Sequence, residues 1–146
     1  MSNVYKSLRK AFEQMESKGW DRIYVLVDLH GTVIKCHEGD EPEFYDKAIP
    51  VLKEMSDRRD ITLIAWTGAH DEILLRTLDR LWNRWGIYVK YVNQNPEIMS
   101  SDHYNASSGK LYFNVGIDDR FGFEQRDWNK LMKVLKHHPY KNKNNE

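Results

Sequence analysis

The hydrophobic positions of this chain follow two periods, one typical of amphipathic helices and one typical of buried strands. The first segment predicts a helix over residues 2–19, because one helical stripe carries its apolar side chains: Val4, Leu8, Ala11, Phe12 and Met15. Gly19 supplies a stop signal. Continuous apolar runs follow at Ile23–Asp28 and Ile61–Trp66, and such runs favour parallel strands that are covered on both faces.

Segments with a helical period of apolar residues lie between these strands and after them. A short helix is predicted around Ile49, Leu52 and Met55. A longer helix from about Asp71 to Trp85 is predicted to direct six apolar side chains inward: Ile73, Leu74, Leu78, Leu81, Trp82 and Trp85. Trp66 and Trp128, like Trp82 and Trp85, fall on positions expected in the core, which gives little support to base stacking.

The second half of the chain continues the alternation. Third and fourth strands are predicted at Ile87–Val92 and Leu111–Ile117, with a polar loop between them. A last helix carries Trp128, Leu131, Met132 and Leu135, and a polar tail spans 137–146. Alternating strands and helices predict an α/β fold with a parallel sheet, helices on both faces and right-handed crossovers.

Composition narrows the class of protein. The 146 residues suit one domain over 1–146 with its core at 22–136, and 40% hydrophobic with 30% charged residues is a globular balance. The 22 basic residues match the 22 acidic ones, so no broad polyanion-binding surface is indicated. No apolar run is long enough for a membrane helix or a signal peptide, so we expect the cytoplasm. One cysteine, Cys36, excludes an internal disulfide.

Candidate chemistry lies at the strand ends, where ligands bind in parallel sheets. The first strand ends in Asp28-Leu29-His30-Gly31-Thr32, the second in Thr67-Gly68 and the fourth in Asp118-Asp119. Carboxylates are hard oxygen ligands that suit Mg²⁺, while hydroxyl and backbone donors suit an oxyanion. The pattern therefore favours a site for Mg²⁺ and a phosphate on one rim of the sheet.

These segments resemble the four motifs of the haloacid dehalogenase superfamily of aspartate-nucleophile phosphohydrolases. Apolar strands precede Asp28-Leu29-His30-Gly31-Thr32, Thr67-Gly68 and Asp118-Asp119, and Lys110 precedes the last of these strands. The resemblance covers about residues 24–123. It implies a three-layer Rossmann-like sandwich and hydrolysis of phosphomonoesters through an aspartyl-phosphate intermediate.

The resemblance also implies a role for each position. Asp28 is the expected nucleophile, and Thr67, Gly68 and Lys110 are the expected phosphate ligands, with Lys90 as a competitor of Lys110. Mg²⁺ is expected at the Asp28 and Asp118 carboxylates and the His30 backbone carbonyl. For Asp119 two roles are possible: it binds the metal, directly or through water, or it forms an ion pair with Arg120. An ion pair with Arg120 is not expected for Asp118.

His30 departs from the family pattern, which has a second aspartate at this position as the general acid and base. An imidazole also transfers protons near neutral pH, so His30 is either the catalytic acid and base or only a spacer. The second alternative leads to a rival function, a non-catalytic module that binds a phosphate or a partner. A nucleotide-binding Rossmann protein is disfavoured, because no Gly-x-Gly-x-x-Gly follows a strand.

The segments between the motifs are too short for a large cap domain. Residues 31–42 allow a short flap, and residues 93–110 a modest loop. The expected substrate is a phosphorylated small molecule or nucleotide, although an open site also admits larger substrates. A second subunit could close the site, with the exposed face of the first helix as a candidate contact of such a homodimer.

Overall fold

Parallel strands form the sheet of this protein, and its central pair coincides with the two longest apolar runs. The computed structural model describes residues 3–35, 41–68, 71–98 and 111–140. Within them the sheet has the order β3-β2-β1-β4, with β1 at Ile23–Asp28, β2 at Ile61–Trp66, β3 at Tyr91–Val92 and β4 at Val115–Ile117. The predicted bounds of β1 and β2 are confirmed.

Four helices accompany the strands in the described residues: α1 at Val4–Lys18, α2 at Ala48–Asp57, α3 at Asp71–Trp85 and α4 at Asp127–His137. Gly19 ends α1 in the left-handed conformation, with φ of 71°, and its N–H donates to the Met15 carbonyl. The predicted bounds of α3 are confirmed. Trp128 and Leu131 of α4 are fully buried, as expected.

The two faces of the sheet are covered differently. Val25 and Val27 of β1 point to the first face, where α1, α2 and α4 pack and where α3 contributes Leu81 to the core. On the second face, Tyr24, Leu26 and Ile64 are covered by Tyr91, Ile98, Leu111 and Tyr112. The structure confirms a single α/β domain with an all-parallel, Rossmann-like sheet.

The four described helices share the first face, and the structure agrees with the predicted three-layer Rossmann-like arrangement, in which the connection between β3 and β4 contributes to the other layer. The strand order gives the reason: the chain steps from β1 to β2 to β3 in one direction, and right-handed crossovers then place α2 and α3 on the same side. The connection from β3 to β4 leads in the opposite direction. Its described parts, around 95–98 and 111–114, supply the cover of the second face.

The third and fourth strands are shorter than predicted, because side chains and helix ends take their hydrogen bonds. The N–H groups of Gly86 and Ile87 cap α3 by donating to the Trp82 and Leu81 carbonyls, at 2.8 and 3.0 Å. Residues before β4 are held by amide side chains: Asn95 Nδ2 donates to the Tyr112 carbonyl at 3.0 Å. The predicted strands Ile87–Val92 and Leu111–Ile117 therefore shrink to Tyr91–Val92 and Val115–Ile117.

Two tryptophans that were expected in the core are exposed. Trp82 is 57% exposed and packs edge-on against Tyr88, with ring centroids 6.2 Å apart. It lines an open groove with Leu75, because the apolar arc of α3 is wider than the surface that the sheet covers. Trp66 is 39% exposed, since it is the last residue of β2 and reaches the rim of the sheet.

A hairpin-like flap leaves the end of β1, in the region predicted to hold one. Ile34 pairs antiparallel with Phe44, the Lys35 N–H donates to the Glu43 carbonyl at 2.8 Å, and the Tyr45 N–H donates to the Val33 carbonyl at 2.9 Å. Glu41 ties the second arm to α3 by accepting from Arg80 Nε at 2.6 Å and from Arg84 Nη2 at 2.9 Å. Cys36 lies outside the described residues.

The predicted polar tail begins inside α4 and is partly anchored. The His138 ring stacks on Phe12 at 5.1 Å between centroids, and its carbonyl accepts from Arg58 Nη2 at 2.6 Å. Arg58 is itself buried and pairs with Asp60 through Nε at 2.8 Å. Residues 141–146 lie outside the described part of the chain.

In the described residues, no helix has the length and apolar character that a membrane crossing requires.

Glu97 anchors the cover of the second face. Its carboxylate accepts from Lys90 Nζ and Tyr91 Oη, both at 2.7 Å, and from Tyr24 Oη at 3.0 Å and Arg22 Nη1 at 3.3 Å. Partial burial pushes the pKa of Glu97 upward, but the hydrogen bonds from its partners prevail and lower it to about 2. Glu97 therefore stays ionised at neutral pH.

Glu97→Gln should destabilise the fold by about 1–3 kcal/mol, because the neutral amide leaves charged and hydroxyl donors without their acceptor. The exposed ion pair of Glu43 with Lys35, at 3.2 Å, offers a matched control, and Glu43→Gln should leave the free energy of unfolding essentially unchanged. Urea denaturation of both variants measures the difference. Equal midpoints would show that Glu97 does not anchor this face.

Candidate active site

Strand register brings the predicted acidic residues together at one rim of the sheet. Val27 of β1 pairs with Ile117 of β4, so Asp28 and Asp118 follow at the same level on neighbouring strands. Carboxylate oxygens of Asp28, Asp118 and Asp119 lie within 4.8 Å of one another. We call these three residues the carboxylate trio.

Thr32 connects the two strand ends within the trio. Its hydroxyl donates to Asp28 Oδ2 at 3.2 Å and accepts from the Asp119 N–H at 3.1 Å. Thr32 is fully buried, and its carbonyl accepts from Gln125 Nε2 at 2.9 Å. One buried hydroxyl thus fixes a carboxylate of β1 relative to the backbone that follows β4.

Gly31 allows the loop after β1 to pass close to Asp119. Its φ is 84°, a left-handed value that L side chains rarely adopt, and an added Cβ would lie 2.5 Å from Asp119 Oδ2. The Leu29 carbonyl accepts from the N–H groups of Thr32, Val33 and Ile34, which closes the turn. A side chain at position 31 would therefore displace the Asp119 carboxylate.

Asp118 is paired with Arg120, which corrects the expectation that any such ion pair would involve Asp119. The Asp118 side chain caps the short 3₁₀ helix Asp119–Phe121 by accepting from the Arg120 N–H at 2.9 Å. This cap turns the guanidinium back, so that Nε lies 3.3 Å from Oδ1 and Nη2 lies 2.9 Å from Oδ2. Burial raises the pKa of Asp118, but the bonds and charge of Arg120 outweigh it and hold that pKa below its usual range.

Asp28 has the opposite electrostatic environment. Burial raises its pKa, and the Asp118 charge and a hydrogen bond with Asp119 raise it further, against the opposing bond from Thr32. The pKa of Asp28 moves from an ordinary 3.8 to about 7. The ionised form of Asp28 is therefore destabilised by burial and by its neighbours, and a nearby cation would stabilise this ionised form.

His30 and the phosphate candidates lie around this rim. The His30 side chain is exposed, and its backbone forms an isolated parallel bridge with Ile34 at the base of the flap. Thr67 is partly buried and Gly68 is exposed, both directly after β2, whose last residue Trp66 pairs with Asp28. Lys110 lies outside the described residues. Its competitor Lys90 is bound to Glu97 at 2.7 Å.

Asn93 is a positioning residue that the sequence did not reveal. Its Oδ1 accepts from the Thr67 N–H at 2.9 Å, its Nδ2 donates to the Thr67 carbonyl at 2.8 Å, and its own N–H donates to the Ala65 carbonyl at 2.8 Å. Asn93 has a φ of 54°, a conformation that asparagine tolerates better than most residues. The signal in the sequence was an asparagine directly after a strand, a common and unspecific pattern.

Comparisons with known proteins establish the fold alone. No protein-family model and no curated protein matches this sequence. Among solved structures the chain is similar to a conserved protein coded by a locus from Bacteroides thetaiotaomicron, with a TM-score of 0.59 and 23% sequence identity. The similarity covers 81% of this chain and 93% of that one.

The raised pKa of Asp28 predicts a pH dependence of stability in metal-free protein. From about pH 4 to about pH 7 the folded protein retains a proton on Asp28 that the unfolded chain has released. The contribution of Asp28 to the free energy of unfolding should therefore decrease as pH rises through this range. Urea denaturation in the presence of a chelator, repeated at several pH values, measures it.

Asp28→Asn should flatten that profile and be more stable than the wild type above pH ~7, because the amide carries no charge that is buried or that repels Asp118. Asp21→Asn removes an exposed carboxylate and should keep the wild-type profile. Parallel profiles for the wild type and Asp28→Asn would show that Asp28 titrates normally.

Proposed function

We propose that this protein is a Mg²⁺-dependent phosphomonoesterase that forms an aspartyl-phosphate on Asp28. The observation that carries the proposal is the convergence of Asp28, Asp118 and Asp119 at one rim, with oxygens within 4.8 Å of one another. The motif resemblance supplies the assignment of roles. The fold found in the structure is of the type that such enzymes use.

The carboxylate trio fits a divalent cation by the chemistry of its donors. Among the described residues Arg120 is the bound countercharge of these three carboxylates, which leaves excess negative charge. This charge adds to the larger effect of burial in raising the pKa of Asp28. We assign the ion to the Asp28 and Asp118 carboxylates and the His30 carbonyl, with Asp119 as a ligand directly or through water. When bound, Mg²⁺ would offset the repulsion between an anionic nucleophile and an anionic phosphate and stabilise developing charge.

Arg120 competes with a cation for Asp118. The Arg120 N–H, Nε and Nη2 occupy three of the roughly four acceptor positions of that carboxylate. A cation therefore uses the remaining position, or the guanidinium, whose side chain is 67% exposed, turns outward. In the second case Arg120 becomes available to a phosphate oxygen.

Covalent transfer starts from the ionised Asp28. The hydrogen bond from the Thr32 hydroxyl to Oδ2 holds the carboxylate in one orientation. A carboxylate oxygen forms a bond to phosphorus while the bond from phosphorus to the leaving oxygen breaks. Water then attacks the aspartyl-phosphate and releases inorganic phosphate and the regenerated carboxylate, which divides a difficult hydrolysis into two easier steps.

Donors at the end of β2 and Lys110 would hold the phosphoryl oxygens. We assign this role to the Thr67 hydroxyl, the Gly68 N–H and the Lys110 ammonium. The Thr67 N–H is bound by Asn93, so the main-chain donor that we assign is the one on Gly68. Asn93 fixes the Thr67 peptide from both sides and thereby orients these groups.

Proton transfer to the leaving oxygen, and later from water, falls to His30 in this proposal. The exposed imidazole lies two residues after Asp28, where the chain leaves the strand. The substrate is a phosphorylated small molecule or nucleotide, or a larger molecule that an open rim admits. We also propose that a second subunit of a homodimer closes the rim over a small substrate.

Asp28→Asn should abolish phosphate release from phosphomonoesters in the presence of Mg²⁺, with a loss of about 10³-fold or more. The amide is nearly isosteric with the carboxylate but does not attack phosphorus. Initial rates over a panel of phosphomonoesters measure the loss, and Asp21→Asn should retain the wild-type rate. Turnover by Asp28→Asn near the wild-type rate would exclude the covalent mechanism.

His30→Ala should slow alkyl phosphate hydrolysis by about 10²–10⁴-fold, the usual contribution of an acid–base group. It should have little effect on p-nitrophenyl phosphate, whose leaving group needs no proton. His30→Asp should keep or raise the rate. Equal rates for wild type and His30→Ala on an alkyl phosphate would make His30 a spacer. A wild type without activity that gains it in His30→Asp would favour the non-catalytic binding module.

A further inference from the structure

An exposed tryptophan lies beside the proposed nucleophile. Trp66 is the register partner of Asp28 on the neighbouring strand, and paired residues of parallel strands direct their side chains to the same face. Tyr24 and Leu26 define that face on β1, and Ile64 defines it on β2. Trp66 is 39% exposed, so part of the indole surface is open to solvent next to the carboxylate trio.

The backbone that carries this indole is fixed. Asn93 bonds to the residues on both sides of Trp66, through its N–H to the Ala65 carbonyl and through its side chain to both the N–H and the carbonyl of Thr67. Three hydrogen bonds from one residue therefore hold the end of β2. Because the backbone at Trp66 is held in place, binding a flat ligand costs the ordering of the indole side chain but not of the chain that carries it.

The offset between Asp28 and Trp66 suits a particular ligand geometry. Neighbouring strands lie roughly 4.8 Å apart, so the backbones of Asp28 and Trp66 are about one strand spacing apart and their side chains extend from the same face. In a nucleotide, the sugar separates the phosphate from the base and gives such a sideways offset. In an aryl phosphate, by contrast, the ring is bonded to the phosphate oxygen and lies beside the phosphate itself.

We propose that the substrates of this site are phosphomonoesters that carry a nucleobase, and that the base stacks on Trp66. The proposal rests on the phosphomonoesterase function proposed above and names its substrate class. Stacking tolerates any base, because every base offers a π-face. Free nucleotides and the phosphorylated end of a nucleic-acid strand share this chemistry.

Binding measurements separate the contribution of the base from that of the phosphate. Isothermal titration of Mg²⁺-loaded Asp28→Asn with 5′-AMP, 3′-AMP and ribose 5-phosphate gives the affinities without turnover. At least one AMP isomer should bind more tightly than ribose 5-phosphate. Trp66→Ala in the same background should weaken AMP binding by about 5-fold to 150-fold, the range measured for base–aromatic stacking, and leave ribose 5-phosphate binding unchanged.

Trp82 provides a matched control, because it is a tryptophan that is 57% exposed on α3. Trp82→Ala should leave both affinities unchanged. Trp66→Phe should recover part of the AMP affinity, since it retains a flat ring, and it keeps the test decisive if Trp66→Ala fails to fold. Bound AMP should also quench tryptophan fluorescence in the Trp82→Ala variant and not in Trp66→Phe.

The two sources of a nucleobase are distinguished by a dinucleotide with a terminal phosphate. If the dinucleotide binds more tightly than AMP and this gain depends on Trp66, the substrate is a nucleic-acid end. If the dinucleotide and AMP bind with equal affinity, the substrate is a free nucleotide. Both results support base stacking.

Other outcomes overturn the proposal. Equal affinities for AMP and ribose 5-phosphate, or an AMP affinity that survives Trp66→Ala, would exclude stacking while wild-type phosphatase activity persists. Phosphotyrosine binding that is tighter than AMP and depends on Trp66 would replace the nucleobase by an aryl phosphate. Absence of phosphatase activity in the wild type, with no binding of any of these phosphates, would instead refute the underlying enzyme function.

Discussion

Mutual repulsion within the carboxylate trio is the constraint that the site architecture has to accommodate. Sheet register alone places Asp28 level with Asp118, and the short 3₁₀ turn adds Asp119. The surrounding groups each reduce the electrostatic free-energy cost of this repulsion. Arg120 neutralises Asp118, the Thr32 hydroxyl binds Asp28, and Gly31 leaves room for the Asp119 carboxylate. The result is an asymmetric pair in which Asp118 is a strong anion and Asp28 readily takes a proton.

This asymmetry is compatible with different tasks for two neighbouring carboxylates. Asp118 keeps its charge and its orientation through Arg120, with which a cation would have to share this carboxylate. Asp28 lies in a less favourable electrostatic environment, so its ionisation depends on what else is bound. Groups whose environments drive their pKa values apart are typical of sites that perform acid–base or nucleophilic chemistry.

Sequence patterns predicted the elements that local signals determine. The central strands follow from continuous apolar runs, and α1 and α3 end at glycines with positive φ, Gly19 and Gly86. The ends of β3 and β4 could not be predicted, because they depend on hydrogen bonds between distant parts of the chain. Ser56 accepts from the Tyr88 N–H, Asn95 donates to the Tyr112 carbonyl, and Asn114 accepts from the Tyr24 N–H of β1. The acidic strand ends were recognisable since they follow buried strands. The roles of Asn93 and Arg120 depend on tertiary geometry, and periodicity did not show that Trp66 and Trp82 reach the surface.

The attachment of the flap to α3 has a consequence for the environment of the rim. The base of the flap is held by backbone hydrogen bonds around Ile34 and Phe44, which salt hardly affects. Its second arm is held at Glu41 by the partly exposed guanidinium groups of Arg80 and Arg84, and ion pairs of this kind weaken as the Debye length shortens. Ionic strength therefore acts on one end of the flap and spares the other. The ion pairs with α3 are therefore the salt-sensitive attachment of the flap, and α3 supplies them without contributing a residue to the proposed chemistry.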